Sequence, residues 1–234
     1  MLLHADARKL PLADGSAGLV LTSPPYNVGL HYDGYDDNLS KADFMEFNRI
    51  WLAETFRVCK ESTRAHFIIG DQMIWWFRKL AEDVGFVFAQ KLVWCKPNFV
   101  SSSKKVTGDW NYMTEDILLF RKGKRTPMLN SDDSGTWNWF REVTPQSNFH
   151  EGRIHPAQLP VSLCKKIIAR TPGEPILDPF AGSGSVLVAA KQLGRSAIGC
   201  DIIMPVVKRA QFRLQHTQPP LFSLAYEQNE LEIT

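Results

Sequence analysis

Residues 178–185 read Asp-Pro-Phe-Ala-Gly-Ser-Gly-Ser, and this stretch decides the predicted fold. A short apolar run precedes it, and an alanine-rich segment with helical spacing follows over residues 186–193. Glycines let the backbone approach a ligand closely, and the N-terminus of a helix presents unpaired N–H groups. The next apolar run, residues 197–200, ends at Asp201, 23 positions after Asp178. This order of elements predicts a nucleotide-binding unit rather than a glycine turn that only packs a helix on a strand.

Apolar runs and helical spacing alternate along the rest of the chain. Strands are predicted over residues 18–21, 65–69, 86–94, 117–120, 175–177 and 197–200. Helices are predicted over residues 41–59, 74–83, 160–170, 186–193 and 206–214. This alternation is typical of an α/β fold with a doubly wound, mostly parallel sheet. Because the nucleotide-binding unit lies at the C-terminus, we expect the fold to be circularly permuted.

The composition bounds the class of protein. The chain has 234 residues, of which 44% are hydrophobic and 22% charged, which indicates a globular protein with a single domain over residues 1–234. These values exclude a disordered tail, a collagen-like fibre and a disulfide scaffold. The net charge is only +2, so any surface for a polyanion must be local. Since no apolar run reaches the roughly 18 residues of a membrane helix, and the start lacks a signal segment, we expect a cytoplasmic protein with no membrane partner.

Cysteine and histidine spacing predicts neither disulfides nor a metal site. The cysteines stand far apart, at positions 59, 95, 164 and 200. We expect four free, reduced thiols. His150 and His155 are too isolated to form a zinc site, so no metal is predicted.

The glycine loop restricts the class of ligand. A Lys-Ser or Lys-Thr pair does not follow the glycines, which excludes a Walker loop, and a third glycine at dinucleotide spacing is missing. An acid before the turn, Asp178, suits a ligand with a cationic amine, and Asp201 is placed to hold ribose hydroxyls. An amine, a ribose and a base together describe S-adenosylmethionine.

A second stretch, Thr22-Ser23-Pro24-Pro25-Tyr26-Asn27, follows the first predicted strand. Two prolines stiffen this loop and fix its carbonyl groups. Ser23 and the carbonyl after it could accept hydrogen bonds from an exocyclic amine, and the Tyr26 ring could stack on a flat base. We expect the Tyr26 ring to matter and its hydroxyl to be nearly dispensable. Taken alone, the stretch is more typical of a rigid turn, and only its combination with the glycine loop favours the functional interpretation.

The two stretches together resemble the DNA amino-methyltransferases, which transfer methyl from S-adenosylmethionine to cytosine N4 or adenine N6. That family carries [DNS]PP[YFW] and DPFxGSG motifs, and this chain shows SPPY at 23–26 and DPFAGSG at 178–184. His155–Pro160 is similar to the HPxQxP segment of the family, and residues 3–6 are similar to its GDA segment. The catalytic motif precedes the cofactor motif, as in the permuted group. Departures are Ser185 for threonine, His4 for glycine and Asp201 for glutamate.

The resemblance implies roles for individual residues. The catalytic residues would be Ser23, Pro24, Pro25 and Tyr26. The cofactor-binding residues would be Asp6, Asp178, Phe180, Gly182, Ser183, Gly184 and Asp201. The target base would flip out of the duplex, and methyl transfer would precede proton loss, without a covalent intermediate.

A local basic surface is predicted from charge. Residues 96–125 carry seven basic and three acidic groups. We interpret the polar stretch over residues 121–152, which contains Trp137 and Arg141, as a short target-recognition insertion. Basic side chains among polar and aromatic groups suit DNA, although a solvated loop is an equal alternative. The predicted DNA-binding residues are Lys96, Lys104, Lys105, Arg121, Lys122, Lys124, Arg125, Trp137 and Arg141.

Four functions therefore remain open. A serine before Pro-Pro favours cytosine N4 as the target, and adenine N6 is the alternative within the family. An inactive DNA-binding subunit and an RNA or small-molecule methyltransferase are less consistent with the intact motifs. As partners we expect duplex DNA and a cognate restriction enzyme, in a nucleoid-associated monomer or homodimer.

Overall fold

The computed structural model describes residues 1–29, 37–98, 113–125, 127–129, 137–145 and 157–220. The strands are β1 (Leu2–His4), β2 (Ala17–Thr22), β3 (Cys59–Ile69), β4 (Val87–Cys95), β5 (Thr114–Arg121), β6 (Trp139–Arg141), β7 (Ile176–Asp178) and β8 (Ala197–Asp201). The helices are α1 (Lys41–Val58), α2 (Ile74–Val84), α3 (Val161–Arg170), α4 (Ser185–Gln192) and α5 (Met204–Gln215), with a 3₁₀ turn at Asp71–Met73.

Strands of the described residues form one mixed sheet in the order β1-β8-β7-β2-β3-β5-β4-β6. Only β5 is antiparallel to its neighbours, β3 and β4, while the other described pairings are parallel. The carboxyl ends of β2, β3, β7 and β8 therefore meet at one edge of the sheet. The predicted doubly wound, mostly parallel α/β sheet is confirmed.

Two apolar cores hold the helices against the two faces of the sheet. Trp51 of α1 and Phe77 of α2 are fully buried against Phe67 of β3 on one face. On the opposite face, Leu163 of α3 and Ala189 of α4 are buried in the second core. Burial on both faces explains why β2 reads as a continuous apolar run rather than an alternating one.

The chain ends pack into the same sheet as its middle. Strand β1 pairs in parallel with β8, so the N-terminal residues extend the C-terminal nucleotide-binding unit. Helix α5 packs on both β1 and β8. The order of elements is therefore the permuted one expected from the position of the glycine loop.

The structure contains two short strands that the sequence did not predict, and a longer β3. Strands β1 and β6 have three residues each, too few for a periodic signal. Strand β3 begins at Cys59 rather than Ala65. The sequence did not predict its first residues because most of them are polar and some are exposed. Ser40 caps α1, since its Oγ accepts the Asp43 N–H at 3.2 Å. None of the described helices is long and apolar enough to cross a bilayer.

Candidate active site

The two motifs meet at the carboxyl edge of the sheet. Strands β2 and β7 are neighbours, with Val20 level with Leu177. The Thr22 hydroxyl, next to Ser23, donates to Asp178 Oδ1 at 2.6 Å in a buried position. Residues 156 positions apart in sequence thus form one site.

Asp178 is a buried carboxyl at the centre of this site. It also accepts the Phe180 backbone N–H at 3.2 Å. Its pKa is raised to about 7, mainly by burial and in part by the charge of Asp201, while these two hydrogen bonds act in the opposite direction. Within the described residues, Asp178 has no cationic side chain as an ion-pair partner. A buried carboxyl without a cationic partner among the described side chains is suited to a cationic ligand.

The glycine loop connects β7 to α4 through left-handed backbone. Gly182 and Gly184 have φ angles of +48° and +75°. A Cβ at Gly184 would lie 3.2 Å from the Ala210 Cβ of α5, so glycine is needed for both conformation and space. Asp201 holds the loop, since its Oδ2 accepts the Gly182 N–H and its Oδ1 the Ile203 N–H, both at 2.9 Å.

Three other residues predicted to bind the cofactor have partners in the protein. The Ser183 side chain is buried, with its Oγ 3.2 Å from Ser185 Oγ and its carbonyl bound by Arg213 of α5. Phe180 packs edge-on against Trp51 at 5.1 Å between ring centroids. Asp6 pairs with Arg8 at 2.7 Å. Burial raises the pKa of Asp6, but hydrogen bonds from Arg8 outweigh it and hold the pKa below its ordinary value.

A hydrogen-bond network fixes the loop that carries Ser23 and Tyr26. Asn27 has a left-handed φ of +56°, and its side chain pairs with the Leu39 backbone at 2.7 and 2.9 Å. The Asp37 carboxylate accepts the backbone N–H groups of Asn27 and Val28 at 3.0 and 3.1 Å. Pro24 is buried, and Pro25 is half-buried. The loop therefore presents Ser23 on a rigid turn.

The Tyr26 hydroxyl is unexpectedly well connected. It lies 3.2 Å from Ser23 Oγ, 3.2 Å from the Ile68 carbonyl and 3.1 Å from Glu115 Oε2. Its ring packs beside Gly70, where a Cβ would lie 3.3 Å from Tyr26 Cδ2. The sequence predicted a role for the ring alone, and Glu115 was not predicted at all. No sequence signal marks Glu115, because it lies on a separate antiparallel strand.

Lys96 lies in this network rather than on the surface. Its ammonium is 2.6 Å from Glu115 Oε1, and the Lys96 side chain is only 7% exposed. This position does not support the predicted phosphate contact of Lys96. Lys122 is also engaged, because its ammonium binds the Phe56 and Cys59 carbonyls at 2.9 and 2.8 Å, at the end of α1. Lys104 and Lys105 lie outside the described residues.

Several predicted DNA-binding residues meet around one depression, which we call the cationic groove. It has a volume of about 770 Å³ on the face of the sheet covered by α3. Arg121, Arg125, Trp137 and Arg141 line it, as expected of a common surface. The sequence did not single out the other cationic lining residues, which are Arg64, Lys166 and Arg170. Lys124 is exposed but does not belong to the described lining.

Positive charge is crowded in the cationic groove. Burial lowers the pKa of Arg64, and the charges of Arg121 and Arg125 lower it further. Lys166 pairs with Glu142 at 2.5 Å, but Arg121, Arg125, Arg141 and Arg170 have no acidic partner among the described residues. Trp137 is 72% exposed at the rim. A polyanion would relieve this repulsion.

The thiols take no part in the site. None of the four cysteines is in a disulfide bond, and Cys59, Cys164 and Cys200 are buried. Burial raises the pKa of both Cys59 and Cys200 to about 12, so these thiols stay protonated at neutral pH. Among the described residues, no group of three His, Cys, Asp or Glu side chains is arranged to hold a metal ion.

A family model described as DNA methylase, covering N6 and N4 methyltransferases, matches residues 17–212. This range includes both the Ser23–Tyr26 loop and the glycine loop. The chain belongs to the DNA methylase family.

Two named relatives are similar along most of the chain. The type II methyltransferase M.HpaI of Haemophilus parainfluenzae is 29% identical over 222 residues, which cover 87% of this chain and 69% of that protein. The DNA adenine methyltransferase YhdJ of Escherichia coli (strain K12) is 27% identical over 250 residues, which cover 91% of this chain and 82% of that protein.

Solved structures share the fold of this DNA methylase. The M1.HpyAVI–SAM complex superposes with a TM-score of 0.72 at 22% identity, over 91% of this chain and 98% of that one. The PvuII DNA methyltransferase (cytosine-N4-specific) superposes with a TM-score of 0.74 at 19% identity, over 91% and 85%. The predicted methyltransferase-type fold is confirmed.

Proposed function

We propose that this DNA methylase transfers a methyl group from S-adenosylmethionine to the exocyclic amine of a base flipped out of duplex DNA. One observation carries the proposal. The 2.6 Å hydrogen bond between Thr22 and Asp178 joins the Ser23 loop to the glycine loop, so that an acceptor and a donor would meet at one edge of the sheet.

The residues present fit S-adenosylmethionine. The buried Asp178 carboxyl suits the methionine amine, since a cation is the partner that this carboxyl lacks among the described side chains. Gly182 and Gly184 leave room for close approach, and Asp201, at the end of the next strand, suits ribose hydroxyls. Phe180 would line the pocket, and Asp6 would meet the adenine. When bound, the cofactor supplies a methyl group already activated on a sulfonium.

The residues of the chain would orient and polarise the acceptor. The amine nitrogen is a poor nucleophile because its lone pair is delocalised into the ring. Hydrogen bonds from the amine to Ser23 Oγ and to the Pro24 carbonyl would favour a tetrahedral nitrogen and align its lone pair. Pro25 stiffens the turn, and the Tyr26 ring would stack on the base. A serine hydroxyl is too weak a base to remove the proton first, so proton loss follows transfer.

We propose that the cationic groove holds phosphates of the DNA backbone. Arginine binds phosphate with a bidentate geometry, and Arg121, Arg125, Arg141 and Arg170 have no described acidic partners to satisfy them. Strand β6 pairs with β4 so that Arg141 is level with Cys95, at the carboxyl edge of the sheet. Residues 121–152 remain the proposed target-recognition insertion within one catalytic domain.

Cytosine N4 is the proposed target atom, because Ser23 offers a short hydroxyl where a carboxylate would favour adenine. Adenine N6 is the second candidate, and the similarity to YhdJ, which is named as an adenine methyltransferase, favours it. A cognate restriction enzyme, the oligomeric state and a cytoplasmic, nucleoid-associated location stay predictions.

Transfer of labelled methyl tests this proposal. We expect the protein to move labelled methyl from S-adenosylmethionine to duplex DNA, and Ser23→Ala to lower that rate by at least about 10-fold, because one hydrogen bond to the reacting amine is lost. The matched control is Ser16→Ala, since Ser16 precedes β2 and Ser23 follows it. Within the described part of the chain, the Ser16 hydroxyl donates only to the nearby Ala13 carbonyl. No label in DNA, or equal loss in both variants, would contradict the proposal.

A further inference from the structure

A chain of hydrogen bonds runs beneath the proposed acceptor position. Ser23 Oγ lies 3.2 Å from Tyr26 Oη, which lies 3.1 Å from Glu115 Oε2. Glu115 Oε1 in turn accepts from the Lys96 ammonium at 2.6 Å. The members come from the loop after β2, from the start of β5 and from the residue after β4. Such a convergence of separate elements on one hydroxyl goes beyond what a rigid turn needs.

The chemistry of the groups fixes the direction of each hydrogen bond. A tyrosine hydroxyl has one hydrogen, whereas a carbonyl and a carboxylate only accept. Both the Ile68 carbonyl and Glu115 lie within hydrogen-bond distance of Tyr26 Oη, so its hydrogen is used on that side. Tyr26 Oη can then only accept from Ser23. The Lys96 ammonium neutralises Glu115, which allows a carboxylate at this half-buried position.

We propose that Tyr26, Glu115 and Lys96 are positioning residues that make Ser23 a hydrogen-bond acceptor toward the target amine. A free serine hydroxyl both donates and accepts. With its hydrogen committed to Tyr26, Ser23 Oγ has only its lone pairs to offer to the target amine. It therefore accepts an N–H of the amine and offers no hydrogen to a ring nitrogen. A carboxylate at position 23 would accept without help, but a serine needs this network. The inference rests on the proposed function.

The test is a double-mutant cycle on methyl transfer, measured as kcat, KM and thermal unfolding. Tyr26→Phe keeps the stacking ring but removes the acceptor, so we expect kcat to fall about 5- to 10-fold, the effect of one net hydrogen bond, with KM for DNA unchanged. In the Ser23→Ala background, Tyr26→Phe should have no further effect, because no hydroxyl remains to orient. A purely structural role of Tyr26 would lower activity in both backgrounds.

Two further variants complete the design. Glu115→Gln should lower kcat in the same direction but less, because the Ile68 carbonyl still accepts the Tyr26 hydrogen. Glu115→Gln also keeps the inference testable if Tyr26→Phe does not fold. The matched control is Glu46→Gln, which changes an exposed carboxylate paired with Arg49 on α1 and should leave kcat unchanged.

The outcomes separate the inference from the function on which it rests. If the unchanged protein methylates DNA but Tyr26→Phe and Glu115→Gln stay within twofold of it, the inference alone is overturned. Equal effects of Tyr26→Phe with and without Ser23 would overturn it too. If the unchanged protein transfers no methyl to DNA, both the proposed function and the inference fall.

Discussion

The chemistry of the site depends on single residues, and Asp178 shows which of their properties can be predicted from the sequence. An acid before a glycine loop was predictable as the partner of a cationic ligand. Its burial and its bond to Thr22 were not, because both depend on β2 lying beside β7. Glu115 gave no signal for the same reason, since only the folded sheet brings it to Tyr26. The sequence therefore predicts which side chains belong to a motif, whereas their hydrogen-bond partners depend on the fold.

The raised pKa of Asp178 makes two effects of Asp178→Asn predictable. S-adenosylmethionine affinity should fall by about 10- to 150-fold, because a charge-assisted hydrogen bond is worth about 1.5–3 kcal/mol. In the unchanged protein, affinity should fall as the pH drops below about 7, where Asp178 becomes protonated, and Asp178→Asn should flatten this dependence. Titration calorimetry across pH 5.5–8.5, about 1.5 units on either side of that pKa, checks both.

The same shift affects stability with the opposite sign. A carboxyl whose pKa rises from 3.8 to about 7 on folding binds more protons in the folded state between those values. The ligand-free protein should therefore lose stability as the pH rises from about 4 to about 7, and Asp178→Asn should lose less. If Asp178→Asn changed neither the affinity for S-adenosylmethionine nor the dependence of stability on pH, Asp178 would not be the buried, titrating carboxyl described above.

At the scale of elements, long periodic helices were predictable and short edge strands were not. Helix α1 follows from its apolar spacing and its Ser40 cap. Strand β6 has three residues in a polar stretch, and its register is set by pairing with β4 and by the Trp94 indole N–H, which donates to the Glu142 carbonyl at 2.8 Å. The cationic groove depends on these elements, because β3, β5, β6 and α3 together bring its arginines into one depression.

The cationic groove can be tested by salt dependence. Each phosphate contact contributes about 0.9 to the slope of log affinity against log salt. The double variant Arg121→Ala, Arg125→Ala should therefore weaken DNA binding and reduce the magnitude of that slope by about 2, with little change in cofactor affinity. A charge-matched control is Lys208→Ala, Arg209→Ala on the exposed side of α5. A slope that changes equally in both variants would show that the groove has no special role.

At the scale of the whole molecule, the permuted chain forms one continuous sheet. The C-terminal half provides the glycine loop and Asp201, the N-terminal half provides Ser23 and Tyr26, and β1 and β2 flank the C-terminal strands β8 and β7. The order of motifs in the sequence was enough to predict this architecture. The geometry between the motifs was not, because it follows from which strands are neighbours. The choice between cytosine and adenine depends on contacts to the base itself.

The most direct measurement is the identity of the methylated nucleoside. Duplex DNA is incubated with the protein and labelled S-adenosylmethionine, digested to nucleosides and separated by mass and retention. We expect N4-methylcytosine. N6-methyladenine as the sole product would change the proposed target base but not the proposed site. A product methylated at carbon, such as 5-methylcytosine, would contradict the account, because that chemistry has no place in a site without a cysteine nucleophile.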